Sequence, residues 1–244
     1  MRIGAFNIVY LSHVCFRFRT RGGKTLITDP FFGPGFVWQN KVEHYLSPPA
    51  MPATDIRRCD AIFISHEHGD HFDPPTVMQI HKQTGCKVIA APEMLEVLAS
   101  RGLPKKAQLE AKEAARVTFG DLAVTPYDGY DDSKDAKGRP NKFAITIESR
   151  GTKLFYSGDC HELPPAVRGM SVDALFSWPH PTDEELKPFV DGIDTDTFVV
   201  MHSDKFAPGD FWCNFDPKEH AKRIQKIKPG MRVRLPKRAQ TLSV

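Results

Sequence analysis

The sequence predicts a mixed α/β fold, and three observations carry that prediction. Strand and helix patterns alternate through the middle of the chain, strand patterns fill both flanks, and Gly or Pro marks most of the boundaries. A chain of 244 residues, 41% apolar and 26% charged, has the composition of a soluble globular protein, and one domain over residues 1–244 is the expectation. Its 33 basic and 30 acidic side chains leave a balance of +3, which by itself points to no polyanionic partner.

The elements follow in order. Ile3 to Tyr10, Val14 to Thr20 and Thr25 to Thr28 read as a three-stranded meander, with Phe16 and Phe18 on one side of the second strand and Arg17 and Arg19 on the other. From Phe31 to Asp55, prolines and aromatics without periodicity predict a long loop, and loops of that length usually carry function. Ala61 to Ser65 is a short apolar strand. Asp73 and Pro74 open a helix that runs to Thr84 before Gly85, Lys87 to Ala90 is a strand, and Pro92 to Arg101 is a helix stopped by Gly102. Strands return at Ala115 to Phe119, Leu122 to Thr125, Phe143 to Glu148, Lys153 to Ser157, Ala174 to Ser177 and Thr197 to Met201, around a polar loop from Asp128 to Asn141. Asp216, Pro217 and Glu219 start a helix to Lys228 with Ala221, Ile224 and Ile227 on one face. Two sheets are the natural outcome.

Cys15, Cys59, Cys86, Cys160 and Cys213 are odd in number and far apart, without a C-x-x-C pair, which fits a reducing cytoplasm better than a disulfide framework. Asn7, Ser12 and His13 interrupt the first apolar stretch, poor material for a signal peptide. No apolar run approaches the roughly 20 residues that span a bilayer.

Immediately after the strand Ala61 to Ser65 comes the run His66, Glu67, His68, Gly69, Asp70, His71. Four potential ligands within six residues, on a turn, can converge on a metal as one helical face could not. A divalent ion held by nitrogen and carboxylate donors keeps a water bound and lowers its pKa to about 7, so hydrolysis is the natural use.

The motif His-x-His-x-Asp-His after an apolar strand resembles the signature of the metallo-β-lactamase superfamily of metallohydrolases. L-I-T-D-P at Leu26 to Pro30, F-Y-S-G-D at Phe155 to Asp159 and V-V-M-H at Val199 to His202 resemble further elements of that family, in order, from about Ile8 to His202. S-H-V-C-F at Ser12 to Phe16 resembles the G-H-A-S-F element of the branch with ascorbate-6-phosphate lactonase-like and phospholipase D-like members. The resemblance implies an α/β, four-layered αββα metallo-β-lactamase-like sandwich whose strand-end loops gather the metals at one edge. It implies that His66 and His68 hold a first ion, that Asp70, His71 and His202 hold a second, and that Asp159 bridges both. One or two divalent ions are expected, zinc first, with manganese or iron as alternatives. A metal-bound hydroxide would attack an ester, lactone or phosphodiester, with Asp70 as ligand and catalytic residue orienting the water. Asp29 would orient a ligand histidine.

One departure stands out. The family places a further histidine on the first metal after a mid-chain strand, and here that segment reads Val124, Thr125, Pro126, Tyr127, Asp128, Gly129, Tyr130. Asp128 is the best substitute donor, and a turn aspartate before Gly129 is the other reading. Without that histidine the first ion binds more weakly or is absent.

Further residues carry weaker signals. His13 reads as a satisfied core histidine, a place under the site being the other reading, and His161 and His180 read as loop histidines. Phe36, Trp38, Tyr45, Tyr127, Tyr130, Phe211 and Trp212 lie on expected loops where aromatics can wall a pocket. Lys218 to Arg238 holds nine Lys or Arg against one Glu, which reads as a solvated face. Three rivals remain: a diiron redox enzyme, in which the family carries Glu where this chain has His68; a nuclease; and a non-catalytic or single-metal member. The expected partner is a small-molecule substrate, without evidence for nucleic acid or a membrane span; an oligomer is compatible.

Overall fold

The computed structural model describes residues 1–38, 40–46, 48–129, 134–204, 206–207 and 216–238. Tyr130, Phe211, Trp212 and Cys213 therefore lie outside the described residues, as does the side chain of Trp38.

Two seven-stranded sheets dominate the molecule. In the first, the spatial order is Arg2–Ile3, Phe6–Ser12, Cys15–Thr20, Thr25–Thr28, Ala61–Phe63, Lys87–Ala90 and Gln108–Glu110. The N-terminal strands pair antiparallel as a meander, and from Thr25–Thr28 onward the pairing is parallel. Helices Pro74–Thr84 and Pro92–Ser100 make the crossovers that parallel pairing requires. The second sheet runs Val117–Phe119, Leu122–Asp128, Phe143–Ser149, Thr152–Tyr156, Ala174–Ser177, Thr197–Val200 and Arg232–Arg234, again antiparallel first and parallel afterwards.

The period-2 alternation of strand side chains explains the layering. Leu154, Tyr156, Phe176 and Val199 point inward to a core shared with Phe6, Phe16, Phe18 and Ile62 of the first sheet. Their neighbours Phe155, Leu175, Phe198 and Val200 point outward onto Leu186, Phe189, Val190 and Ile224 of helices Asp183–Gly192 and Pro217–Ile227. Val77, Ile80, Met94 and Leu98 of the first two helices cover the other outer face. Sheets inside and helices outside give the expected four-layered sandwich.

Five elements depart from the expectation. The segment from Phe31 to Asp55 is no plain loop: Gly35–Trp38 and Lys41–Tyr45 form a hairpin whose second strand pairs with Phe206–Ala207. Its prolines lie outside the hydrogen-bonded strands, so composition hid the hairpin. Helix Asp183–Gly192 was masked by Pro188 in its interior, although Thr182 and Glu185 carry a capping signature and the Thr182 hydroxyl accepts the Glu185 N–H at 3.2 Å. Gln108–Glu110 and Arg232–Arg234 are three-residue edge strands, too short for a periodic signal.

Candidate metal centre

The ends of parallel strands deliver the site. Asp29 follows Thr25–Thr28, the histidine run follows Ala61–Phe63, Asp159 follows Thr152–Tyr156, and His202 follows Thr197–Val200. Of the seven non-glycine residues with positive φ among the described residues, four lie here: His13 (40°), Asp29 (38°), His180 (40°) and His202 (59°). Such conformations cost about 1–3 kcal/mol each and persist only where surrounding contacts enforce them. For His13 and His202 those contacts are visible. The His202 N–H donates to the His13 carbonyl at 3.0 Å, and the His13 N–H donates to Asp204 Oδ2 at 2.5 Å. Asp204 is held in turn by the Tyr45 hydroxyl and the Arg238 guanidinium, which tie the hairpin and the chain's last described residues to this corner.

Asp29 and Ser65 set the orientation of two histidines. Asp29 Oδ1 accepts the Ser65 N–H at 2.6 Å, and Oδ2 accepts from the Ser65 hydroxyl (2.7 Å), the Tyr156 hydroxyl (2.6 Å) and His71 Nδ1 (3.0 Å). Because the Ser65 hydroxyl has one proton and gives it to Asp29, its 2.9 Å contact with His66 Nδ1 requires the imidazole to donate. The network thus assigns the Nδ1–H tautomer to His66 and leaves the Nε2 lone pair facing the site. Both His66 Nε2 and Asp159 Oδ1 are buried without a hydrogen-bond partner among the described residues. Gly158 permits this packing: it has φ +55°, and a Cβ there would lie 2.8 Å from the Ser65 Cβ.

Two groups of donors result, His66 with His71 and Asp159, and Asp70 with His202 and His13. All six are buried. The groups meet at a common point. His202 Nε2 lies 3.0 Å from Asp159 Oδ2 and 3.2 Å from Asp70 Oδ2, while His71 Nε2 lies 3.2 Å from Asp159 Oδ2 and 3.9 Å from Asp70 Oδ2. Ligands bonded at about 2.0–2.1 Å around a tetrahedral ion stand roughly 3.4 Å apart, so these four donors fit such an ion.

Electrostatics within the cluster is strong. Burial works to raise the Asp70 and Asp159 carboxyls, but the surrounding histidines outweigh it and hold both well below the usual carboxylate range. Burial would lower His71, yet Asp159 and Asp70 push it up to about 10. His66 is lowered by burial and then by His71, and His68 is lowered by burial against the opposing charge of Asp70. His13 is lowered to about 4 by burial and His202, against the opposing hydrogen bond to Asp70.

Six of the seven expected metal residues gather here, His68 through its ring, 4.4 Å from that of His66. Asp128 does not join either donor group; it ends the strand Leu122–Asp128, half-buried, with its N–H donating to Glu113. The strand continues past Thr125 in register, Asp128 opposite Phe143, so the expected turn begins later than the sequence suggests. His13, expected in the core, lies beside the donors, its Nε2 3.2 Å from Asp70 Oδ2. His180 is buried against Ser177, Trp178 and Phe189, and His161 faces Glu185; neither enters a donor group. Lys142, which no motif singles out, is buried, with Nζ 3.4 Å from the Asp159 carbonyl.

Known proteins share this fold. A UPF0173 metal-dependent hydrolase of Rubrobacter xylanophilus is 28% identical over 165 residues, 64% of this chain; the match spans 62% of that protein's length. The solved structure of Igni18, a metallo hydrolase from Ignicoccus hospitalis KIN4/I, superposes with a TM-score of 0.68 at 17% identity, covering 94% of each chain. CmlA, a diiron β-hydroxylase from Streptomyces venezuelae, superposes with a TM-score of 0.66 at 17% identity over 96% of this chain and 53% of its own. At such identities the two superpositions speak for the fold alone. Residues 24–202 match the beta-lactamase superfamily domain, and the chain therefore belongs to the beta-lactamase superfamily, with the metallo-β-lactamase fold.

Proposed function

We propose that the chain is a metal-dependent hydrolase that cleaves an ester, lactone or phosphodiester. The observation that carries this reading is the convergence of Asp70, His71, Asp159 and His202, two buried carboxylates and two buried imidazoles at the edge spacings of a tetrahedral ion. These four residues would hold the ion, with His66 and His68 facing the neighbouring position. A divalent ion there supplies a Lewis acid and a water acidic enough to serve as nucleophile near neutral pH. The metal is a transition ion, zinc first, given the nitrogen and carboxylate donors; manganese and iron suit the same set.

The chain's own residues do the rest. Asp29 holds the His71 ring through Nδ1, so that Nε2 is aimed at Asp70 and Asp159. Asp70 combines a ligand oxygen with contacts to His13 and His202, which fixes its carboxylate for orienting a water. Ser65 aligns His66. The S-H-V-C-F element that brings His13 here is also what supports the lactonase-like or phospholipase D-like branch.

Two further observations bear on partners and place. Several basic groups of Lys218 to Arg238 are engaged within the chain: Arg223 with Asp183, Arg232 with Asp196, Arg238 with Asp204, and Lys228 with the Thr195 carbonyl. That supports a small-molecule substrate over nucleic acid. Cys15, Cys59 and Cys86 are free thiols, which supports a cytoplasmic site; among the described residues no helix is long and apolar enough to cross a membrane.

The test is reconstitution with zinc, manganese or iron(II), followed by a panel of carboxylic esters, lactones and phosphodiesters. Turnover of one class, lost on chelation and restored by metal, is the expected result. Failure to bind any of the three metals overturns the reading.

A further inference from the structure

Arg17 and Arg19, on the side of their strand opposite Phe16 and Phe18, have no task in the metal centre. The strand Cys15–Thr20 leaves His13 at one end and reaches the turn with Arg21 at the other, so its arginines lead away from that centre. Cross-strand register gathers more of them. Arg2 stands opposite Asn7 and Asn7 opposite Arg19, which puts the three in one row on one face, while Arg17 sits two residues along, opposite Val9. With strands about 4.8 Å apart and alternate residues about 6.8 Å apart, Arg19 starts within roughly 10 Å of both Arg2 and Arg17. Two open cavities, of about 380 and 330 Å³, share Asn7. Arg2, Arg19 and Arg21 line the first, Arg17 and Lys237 line the second, and no acidic side chain lines either.

Elsewhere the chain neutralises its arginines: Arg116, Arg139, Arg150, Arg223, Arg232 and Arg238 each pair with a carboxylate. Among the described residues Arg2, Arg17, Arg19 and Arg21 pair with none. Asp121, which touches the turn carrying Arg21, is already engaged by the Thr20 hydroxyl (2.7 Å), the Gly22 N–H (3.1 Å) and Arg150 Nε (3.2 Å). Those bonds fix that turn, and the Thr152 hydroxyl, accepting the Ala5 N–H at 2.8 Å, fixes the one beside Arg2. At the position where a carboxylate would neutralise both Arg2 and Arg19, the chain has the amide of Asn7. Like charges gathered on one sheet face destabilise it unless an anion joins them. We propose that this face is a binding site for a small polyanion carrying two or more linked phosphoryl groups. Guanidinium groups grip phosphoryl oxygens through paired N–H donors, and a chain of such groups spans a row that one phosphate meets only in part. The aromatics along the cavities, Phe6 and Tyr10, are buried, so the face offers no platform for stacked bases, which favours a small ligand over a nucleic-acid strand. The inference does not depend on the metal reading.

The test is calorimetric titration of the full chain, stripped of metal and desalted so that no ion at the other centre captures phosphate. Salt at about 0.15 M screens charges more than roughly 8 Å apart. The probes are inorganic triphosphate, pyrophosphate, ATP and orthophosphate. One equivalent of triphosphate is expected to bind, with orthophosphate weaker by more than about tenfold, as two or more gripped groups require. ATP and triphosphate separate a nucleotide source from an inorganic one, and saturable binding of either supports the proposal. Arg2→Ala with Arg19→Ala is expected to weaken binding about 100-fold through two lost charge-assisted contacts. Asn7→Asp, which sets a carboxylate between the two arginines and leaves both in place, is expected to weaken it as well, a readout independent of the alanine variants folding. Arg57→Ala with Arg58→Ala removes the same charge outside the cavities and is expected to bind like the natural chain. Equal weakening in the two double variants, orthophosphate as tight as triphosphate, tighter binding of a short oligouridylate, or no saturation by triphosphate or ATP overturns the proposal.

Discussion

The two halves of the centre are built to different standards. On one side Asp70, His71, Asp159 and His202 pack donor atom against donor atom at 3.0–3.9 Å, and Asp29 braces the His71 ring from behind. On the other, His66 is braced as well, through Ser65, but its partner His68 is only half-buried. What differs is the set of donors gathered. The first half collects two carboxylates around two imidazoles and so invites a cation; the second has its imidazoles and only the shared Asp159. A shared sequence motif therefore leaves its two halves with different donor sets. Part of the difference comes from His202, far along the chain.

The comparison can be broken most directly from the four-donor side. Asp70→Ala or Asp159→Ala is expected to lose the bound ion and reduce turnover by more than about 100-fold, beyond the range for an outer partner of a ligand; metal content and initial rates check it, and a variant that keeps both would defeat the assignment. Asp29→Asn is expected to weaken metal affinity by about 10–100-fold, because it loosens the grip on His71 Nδ1 while leaving every donor atom in place. Chelator competition measures this.

Protons sharpen the contrast next. His71 is pushed up to about 10, so at lower pH an incoming ion must displace its proton, and affinity is expected to rise by about tenfold per pH unit from roughly pH 6 to pH 8. The sign is set by the raised value: a donor held protonated competes with metal until the pH passes its pKa. A flat profile in the same chelator assay would mean that the carboxylates do not hold that proton. The smallest effect on binding is expected for Gly129→Ala. Its Cβ would crowd Cys160 Sγ and the Lys142 carbonyl, costing about 1–3 kcal/mol of stability while sparing the four-donor ion. Thermal melts with and without zinc separate the two effects.

Much of the architecture was legible because it rests on local rules. Thr25–Thr28, Lys87–Ala90 and Ala174–Ser177 fall where their apolar runs end at turn residues, and Pro74–Thr84 starts and stops at its Asp-Pro and Gly signals. The hairpin Gly35–Trp38 with Lys41–Tyr45 was not legible, since part of its pairing is with Phe206–Ala207, far along the chain. Asp128 was misjudged for a related reason. Its Asp-Gly pair reads as a turn, but pairing with Phe143 keeps it in the strand.

The sequence by itself determined the donors: a six-residue run places His66, His68, Asp70 and His71 on one turn, and local geometry keeps them together wherever that turn lies. The tertiary structure alone decided what surrounds them. His13 came from a turn between the first long strands, Asp204 and Arg238 from near the other end, and Lys142 from the opposite sheet. None of these has a spacing rule linking it to the histidine run, because contacts between sheets depend on how layers stack.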